Sequence, residues 1–250
     1  MRMRPKNKQS KTNMDYSGIE ELFDAEQGLE FYNKDVVKKI LKGFGLLDKS
    51  NVRAEVLEFG AGTGALAEVM LNEHKLKPIC VEIDPTLIEI LKSKGFQTYS
   101  NLSLTPYFAG FIYTSNVLEH IDDDLEALAQ IKKKMLPGGL LVIYVPALPF
   151  LFSDMDAKVG HYRRYTKREL LRKVSQVGLK IDDCYYNDCL GVLAWGSLKI
   201  FVYKGKSGIG SKKSLVIYDR IIYPISIFLD YFFMKRVIGK NLLLIARNEL

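Results

Sequence analysis

The sequence is poor in the residues that build staples and metal centres. It has three cysteines, three histidines and one tryptophan among 250 residues. Cys80, Cys184 and Cys189 cannot all pair, which excludes a disulfide scaffold and predicts reduced, structural thiols of a cytoplasmic protein. No zinc-type spacing exists, and His74, His120 and His161 are scattered, so no metal site is predicted. No stretch of about 18 apolar residues is free of charge, which argues against a membrane-spanning helix. The start of the chain lacks the apolar segment of a secretory leader. It also lacks acid: residues 1–12 hold five basic side chains and no carboxylate.

What is present is ordinary globular material, 48% hydrophobic and 26% charged. That supports one large domain with a full core and excludes a disordered or fibrous chain. The charge is unevenly spread. Residues 196–250 hold ten basic residues against Asp219, Asp230 and Glu249, so both ends are basic and the 13–195 body carries −5. Residues 1–13 read as a disordered basic tail and 14–250 as a single domain. Basic ends suit an anionic partner, either a membrane surface or nucleic acid.

Short apolar runs alternate with helical periodicity. Between Ser17 and Leu47 the apolar positions recur at helical spacing. Val52–Phe59, Pro78–Ile83, Phe96–Tyr99, Phe108–Ser115 and Leu140–Val145 read as strands, separated by helices at Ala65–Asn72, Pro85–Lys94 and Asp122–Met135. Pro137-Gly138-Gly139 reads as a turn. Strand and helix alternating in this way predict an α/β doubly wound fold with a parallel sheet, which binds ligands beyond the carboxyl ends of its strands.

The first strand runs into Glu58-Phe59-Gly60-Ala61-Gly62-Thr63-Gly64. Glycines at a strand-to-helix turn permit a tight bend and close approach of a ligand. Gly60, Gly62 and Ala65 also satisfy a dinucleotide fingerprint. Glu58 argues against that reading, since a carboxylate there repels a pyrophosphate and suits a cationic ligand. Glu82 lies twenty residues after Gly62 at the end of the next strand, where a carboxylate accepts hydrogen bonds from ribose hydroxyls.

With Val81-Glu82-Ile83-Asp84-Pro85, Asn116-Val117-Leu118-Glu119-His120-Ile121 and Leu136-Pro137-Gly138-Gly139 added, the chain resembles class I S-adenosylmethionine (SAM) dependent methyltransferases over roughly residues 30–185. Gly160-His161-Tyr162-Arg163-Arg164-Tyr165-Thr166 is similar to a segment found in one subgroup of them. The resemblance implies a Rossmann-like seven-stranded sheet whose last strand is antiparallel, with Leu179–Tyr186 as strand six and Asn241–Arg247 as strand seven. It also implies SAM as cofactor. Glu58 and Gly60, Ala61, Gly62 and Gly64 would pack against its amino-acid portion. Glu82, with Ile83 beside it, would bind the ribose, and Asn116 with Val117 would face the methionine part. Many relatives bind the adenine amino group through an acidic residue after strand three. Here Ser100-Asn101-Leu102 stands instead, and Asn101 is expected to accept that hydrogen bond.

Methyl transfer from a sulfonium needs alignment, and a base only where the acceptor must lose a proton. Residues 146–165 are dense in functional groups. His161 is the candidate general base, with Asp156 and Tyr162 as further catalytic candidates. Arg163 and Arg164 suit a phosphate or carboxylate; the alternative is a loop stapled down by Asp–Arg pairs, with Thr166 and Glu169 capping the next helix. His120 reads as a packing residue.

Residues 187–240 form a hydrophobic and basic insert between strands six and seven. On a helix through Leu215–Met234, Asp219, Ser226 and Asp230 share a narrow polar stripe with Tyr223 near it, opposite a wide apolar face, and Pro224 kinks it. The insert suits either an in-plane helix pair on an anionic membrane, flanked by Lys204, Lys206, Lys212, Lys213, Lys235, Arg236 and Lys240, or a cover for the core or a dimer partner. The expected function is a cytoplasmic SAM-dependent methyltransferase, peripheral at the membrane, acting on a small-molecule, lipid-linked or glycan-linked acceptor. Three alternatives stand beside it. A nucleic-acid methyltransferase is disfavoured because the Asn116 segment lacks the Pro-Pro-aromatic run that stacks a flipped base. A nicotinamide oxidoreductase is opposed by Glu58, and a membrane-bound adaptor without turnover is the third.

Overall fold

The computed structural model describes residues 28–45, 55–201 and 212–249. The expected tail (1–13), the helical pattern before residue 28, the start of the expected first strand (52–54) and residues 202–211 of the insert lie outside the described residues. Seven strands form one sheet in the order β3-β2-β1-β4-β5-β7-β6. They are β1 (Glu55–Phe59), β2 (Ile79–Val81), β3 (Thr98–Tyr99), β4 (Ala109–Ser115), β5 (Met135–Pro146), β6 (Lys180–Asn187) and β7 (Asn241–Arg247). Only β7 runs against its neighbours: it is antiparallel to both β5 and β6, and the remaining pairs are parallel.

The helices are α1 (Glu30–Phe44), α2 (Ala65–His74), α3 (Pro85–Ser93), α4 (Asp124–Lys133), α5 (Asp154–Lys158), α6 (Lys167–Gln176), α7 (Cys189–Phe201), α8 (Lys212–Ile217) and α9 (Tyr223–Phe232). Their starts follow local chemistry. Asp84 accepts the N–H groups of Thr86 and Leu87 at the head of α3, with Pro85 in the first turn. Thr166 accepts the Glu169 N–H at the head of α6, while the Glu169 carboxylate pairs with Lys173 at 3.3 Å.

Period-two alternation divides the central strands between two cores. Ile112, Leu141, Ile143, Leu242 and Leu244 pack with Leu128 and Ile131 of α4 and Leu170 and Val174 of α6. Phe111, Tyr113, Val142, Tyr144 and Leu243 pack with Val36, Val37 and Ile40 of α1, Met70 of α2 and Tyr223 of α9. These strands are apolar throughout because both faces are covered.

Pro137-Gly138-Gly139, expected as a turn, lies inside β5. The register passes from Ala109 opposite Met135 to Phe111 opposite Leu140, so the extra residues bulge out of the ladder. Gly138 has φ +74° and donates its N–H to the Asn248 carbonyl at 2.6 Å. A glycine admits that backbone, which is how a turn-like triplet is absorbed into a strand.

The described parts of the insert are mainly helical, as expected, with a π-turn just ahead of Pro224. The chain passes from α8 through one π-turn at Tyr218–Ile222 into α9, which carries Pro224 in its first turn. A proline lacks the N–H that would continue the ladder, and the wider turn accommodates it. Asp219, Tyr223, Ser226 and Asp230 are all buried against the body. Asp219 accepts the N–H groups of Phe31 and Tyr32, capping α1. Tyr223 bonds Asp35, and Asp230 accepts the N–H groups of Asp188 and Cys189 at the head of α7. Full burial of a large side chain such as Tyr223 stabilises by roughly 1.5–3 kcal/mol, so the inner face of the insert completes the core. All three cysteines are free and buried. Among the described residues no helix is long and apolar enough to cross a membrane.

Candidate functional site

A cavity of about 850 Å³ opens beyond the carboxyl ends of β1, β2 and β4. Its floor is the Glu58–Thr63 turn; Gly64, expected to join it, does not line the cavity and instead backs onto Leu91 of α3. Gly60 and Ala61 both donate to the Val81 carbonyl, which folds the loop back across the sheet. Gly60 has φ +76°, and a Cβ there would lie 2.3 Å from Cγ2 of Val117. Only glycine meets both demands, so the loop and the strand-four segment touch through bare backbone.

The Glu82 carboxylate organises the opposite wall. One oxygen accepts the Gly62 N–H at 2.8 Å, and the other accepts the N–H groups of Ile83 and Asp84 at 2.7 and 3.0 Å. A carboxylate offers about four lone-pair directions, so capacity is left for a ligand in the cavity it lines. Ile83, 65% exposed, lies in the same wall. Glu58 is buried at the end of β1 and accepts the Tyr113 hydroxyl at 2.9 Å. Burial pushes its carboxyl up to about 8; the Tyr113 bond opposes this and the Glu82 charge adds to it. A cation beside Glu58 would relieve that strain on its charged form.

Asn116 occupies the left-handed region, φ +54°, immediately after β4, and its N–H donates to the Tyr144 carbonyl. Such a conformation in a non-glycine residue is costly and concentrates at ligand sites. Asn101 also borders the cavity, but its Oδ1 accepts the Ser103 N–H and caps a short 3-10 turn. That bond uses one of the two lone-pair directions of the amide oxygen and leaves the other for a ligand. Helix α1 closes one side through Tyr32, Asn33 and Val36. Tyr32 is held there by a buried hydroxyl cluster with Tyr144 and Asn241.

The expected catalytic trio does not line this cavity. Asp156 is fully buried, and its carboxylate receives the Ser153 N–H and hydroxyl, His161 Nδ1 and the Arg164 guanidinium. Burial would raise its carboxyl, but the bonds from His161, Arg164 and Ser153 outweigh burial and hold it at about 2. Asp156 thus positions its neighbours rather than meeting a substrate. The Tyr162 ring is exposed and stacks under Arg163. Arg163 pairs with Asp124 and Asp122, so the two arginines staple the loop instead of presenting an anion site.

His161 is placed more suggestively. Its ring stands edge-on to that of His120 with centroids 4.5 Å apart, and His120 does line the cavity. Burial, reinforced by His161, lowers His120 to about 4 against a hydrogen bond to Gly160. Beside them Glu119 is fully buried, and burial raises its carboxyl to about 8. The sequence did not join these residues, because Glu119 and His120 look like ordinary residues just ahead of a helix and His161 lies 41 positions beyond His120.

The pieces that fit SAM are this chain's own. Glu58 and the glycine floor suit its cationic amino-acid end, the acceptor direction left on Glu82 suits a ribose hydroxyl, and the cavity has the size of a cofactor site. The methyltransferase-domain family model matches residues 19–183. The fold is shared with a SAM-dependent methyltransferase from Archaeoglobus fulgidus, at TM-score 0.57 and 18% identity over 90% of this chain and 98% of that one. It is also shared with Haemonchus contortus phosphoethanolamine N-methyltransferase 2 in complex with SAM, at TM-score 0.54 and 13% identity over 86% of this chain and 53% of that one. No curated protein sequence matches significantly. The chain belongs to the methyltransferase-domain family and is a class I SAM-dependent methyltransferase.

Proposed function

We propose that this methyltransferase works at an anionic membrane surface and methylates a lipid-linked or glycan-linked amphipathic acceptor. The observation that supports this is the inverted character of α8 and α9. Their polar stripe faces the protein, while Ile217, Ile221, Ile225, Phe228, Tyr231 and Phe232 are exposed along the other side. An apolar face with no cover among the described residues favours an interface over water. Basic residues flank it: Arg220 is exposed, Lys235 half-buried, and the sequence adds Lys204, Lys206, Lys212 and Lys213. Each such charge contributes about 1 kcal/mol near anionic lipid, and the apolar face would enter the acyl boundary. The π-turn between these helices caps α1, and α1 walls the cavity, so the lipid-facing surface is joined to the cofactor cavity through one helix.

The test is co-sedimentation with phosphatidylglycerol and phosphatidylcholine vesicles, followed by transfer of labelled methyl from SAM to extracted lipids. Preferential binding to phosphatidylglycerol is expected, reduced in the Ile221→Asp, Phe228→Asp double variant with its melting temperature unchanged. Equal avoidance of both vesicles, or label found only in water-soluble products, contradicts the reading.

A further inference from the structure

Glu119, His120 and His161 carry an arrangement that cofactor binding does not use. One ligand-type atom from each lies within 4.8 Å of the other two. Both Glu119 carboxylate oxygens are buried and have no hydrogen-bond partner among the described residues. A buried carboxylate left in this state is costly unless something binds it. We propose that these three side chains form a binding site for one first-row divalent transition-metal ion, with open coordination toward the cavity for an acceptor hydroxyl or amine.

The surrounding groups orient the ligands as metal sites require. His161 Nδ1 is 2.9 Å from Asp156 Oδ1, which leaves Nε2 as its free edge. Asp156 is itself held by Arg164 and Ser153, giving the carboxylate–histidine support that fixes a ligating ring. His120 bonds the backbone of Gly160, and a Cβ on Gly160 would lie 3.8 Å from His120 Nδ1, so the chain presses against that edge of the ring. Gly160 has φ +85°, the bend that brings its backbone against the ring. The Tyr162 N–H donates to the Glu119 carbonyl at 2.8 Å, locking the two segments together.

Charge and spacing agree with a dication. Glu119 and Asp156 carry two potential negative charges against one guanidinium, Arg164, and two imidazoles with one carboxylate suit zinc, cobalt, iron or manganese. Metal–ligand lengths of about 2.0–2.2 Å put ligand atoms roughly 3–4 Å apart, so side-chain rotation of about an ångström closes the site. This departs from the sequence expectation of no metal. The acceptor role rests on the methyl-transfer reading; the binding of a metal does not.

The experiment uses the full chain, stripped with chelator and titrated with Co²⁺. One cobalt per chain is expected, with visible d–d absorption bands, and Zn²⁺ should displace it and shift the His120 and His161 imidazole resonances. Glu119→Gln and His161→Ala should each weaken cobalt binding at least tenfold, and Asp156→Asn by about 10–100-fold. Calorimetric binding of S-adenosylhomocysteine by the same variants reports whether each folds. The zinc titration of the unmutated protein needs no variant, so a folding failure does not rescue the idea. Absence of bands and of histidine shifts in the unmutated chain overturns the proposal, as does undiminished cobalt binding in folded variants. Cobalt binding without S-adenosylhomocysteine binding would leave the metal site standing and refute the cofactor reading instead.

Discussion

Asp219 Oδ1 accepts the backbone N–H of Tyr32 at 2.8 Å, joining residues 187 positions apart. The bond ties the insert to the first turn of α1, and α1 walls the cofactor cavity. Removing the carboxylate leaves two buried N–H groups, of Phe31 and Tyr32, without their acceptor. Asp219→Ala is expected to cost about 0.5–2 kcal/mol, which lowers the melting temperature by about 2–4 °C per kcal/mol in a chain of this size. Asp219→Asn should fall less because one acceptor oxygen remains. Deletion of 204–240 should go further and abolish folding, since it removes Tyr223 from the core; a stably folded deletion would show that the insert is only an attachment.

Gly60 and Val117 yield a steric prediction. A Cβ at 60 would meet Cγ2 of Val117 at 2.3 Å and Cγ1 at 2.7 Å, in a backbone with φ +76°. Gly60→Ala is therefore expected to lose about 1–2 kcal/mol to backbone strain alone, plus the cost of the clash. Cofactor affinity should fall at least tenfold. Val117→Ala in the same chain should restore the steric part and leave the strain, which urea unfolding of the two single variants and the double variant resolves. Additive losses with no rescue would contradict the contact.

Glu58 makes stability depend on pH. Burial raises its carboxyl from an ordinary 4.5 to about 8, so the folded chain holds this proton more tightly than the unfolded one. The contribution is complete below the unfolded value and is lost as pH rises through about 8, by up to about 1.4 kcal/mol per pH unit. The protein without cofactor should thus be more stable near pH 5.5 than near pH 8.5 in this respect. Glu58→Gln should flatten that difference in urea midpoints. Identical pH slopes in the two proteins would count against a buried, proton-binding Glu58.

Much of this was legible in the chain. Asn241–Arg247, five apolar residues between polar ends, is the segment that the resemblance implies as strand seven, and the structure returns β7 with the same bounds. The Glu58–Gly64 turn and Glu82 were legible because strand-end glycines and a carboxylate twenty residues on reflect a local βαβ geometry. The polar stripe of Asp219, Ser226 and Asp230 was legible as a stripe, but not its direction. Periodicity sets which residues share a face, while tertiary packing decides which face turns inward. The Glu119, His120 and His161 cluster was illegible for a related reason. Its members come from two loops that meet only when Gly160 bends the second against the first.

The most direct test of the account is calorimetric titration of the full chain with S-adenosylhomocysteine, repeated on Glu82→Ala. Glu82 supplies charge-assisted bonds worth about 1.5–3 kcal/mol each, and it also holds the Gly62, Ile83 and Asp84 N–H groups. The account predicts micromolar binding by the unmutated chain and a loss of roughly a hundredfold or more in the variant. No binding by the unmutated chain, or binding indifferent to Glu82, would contradict the placement of the cofactor in this cavity.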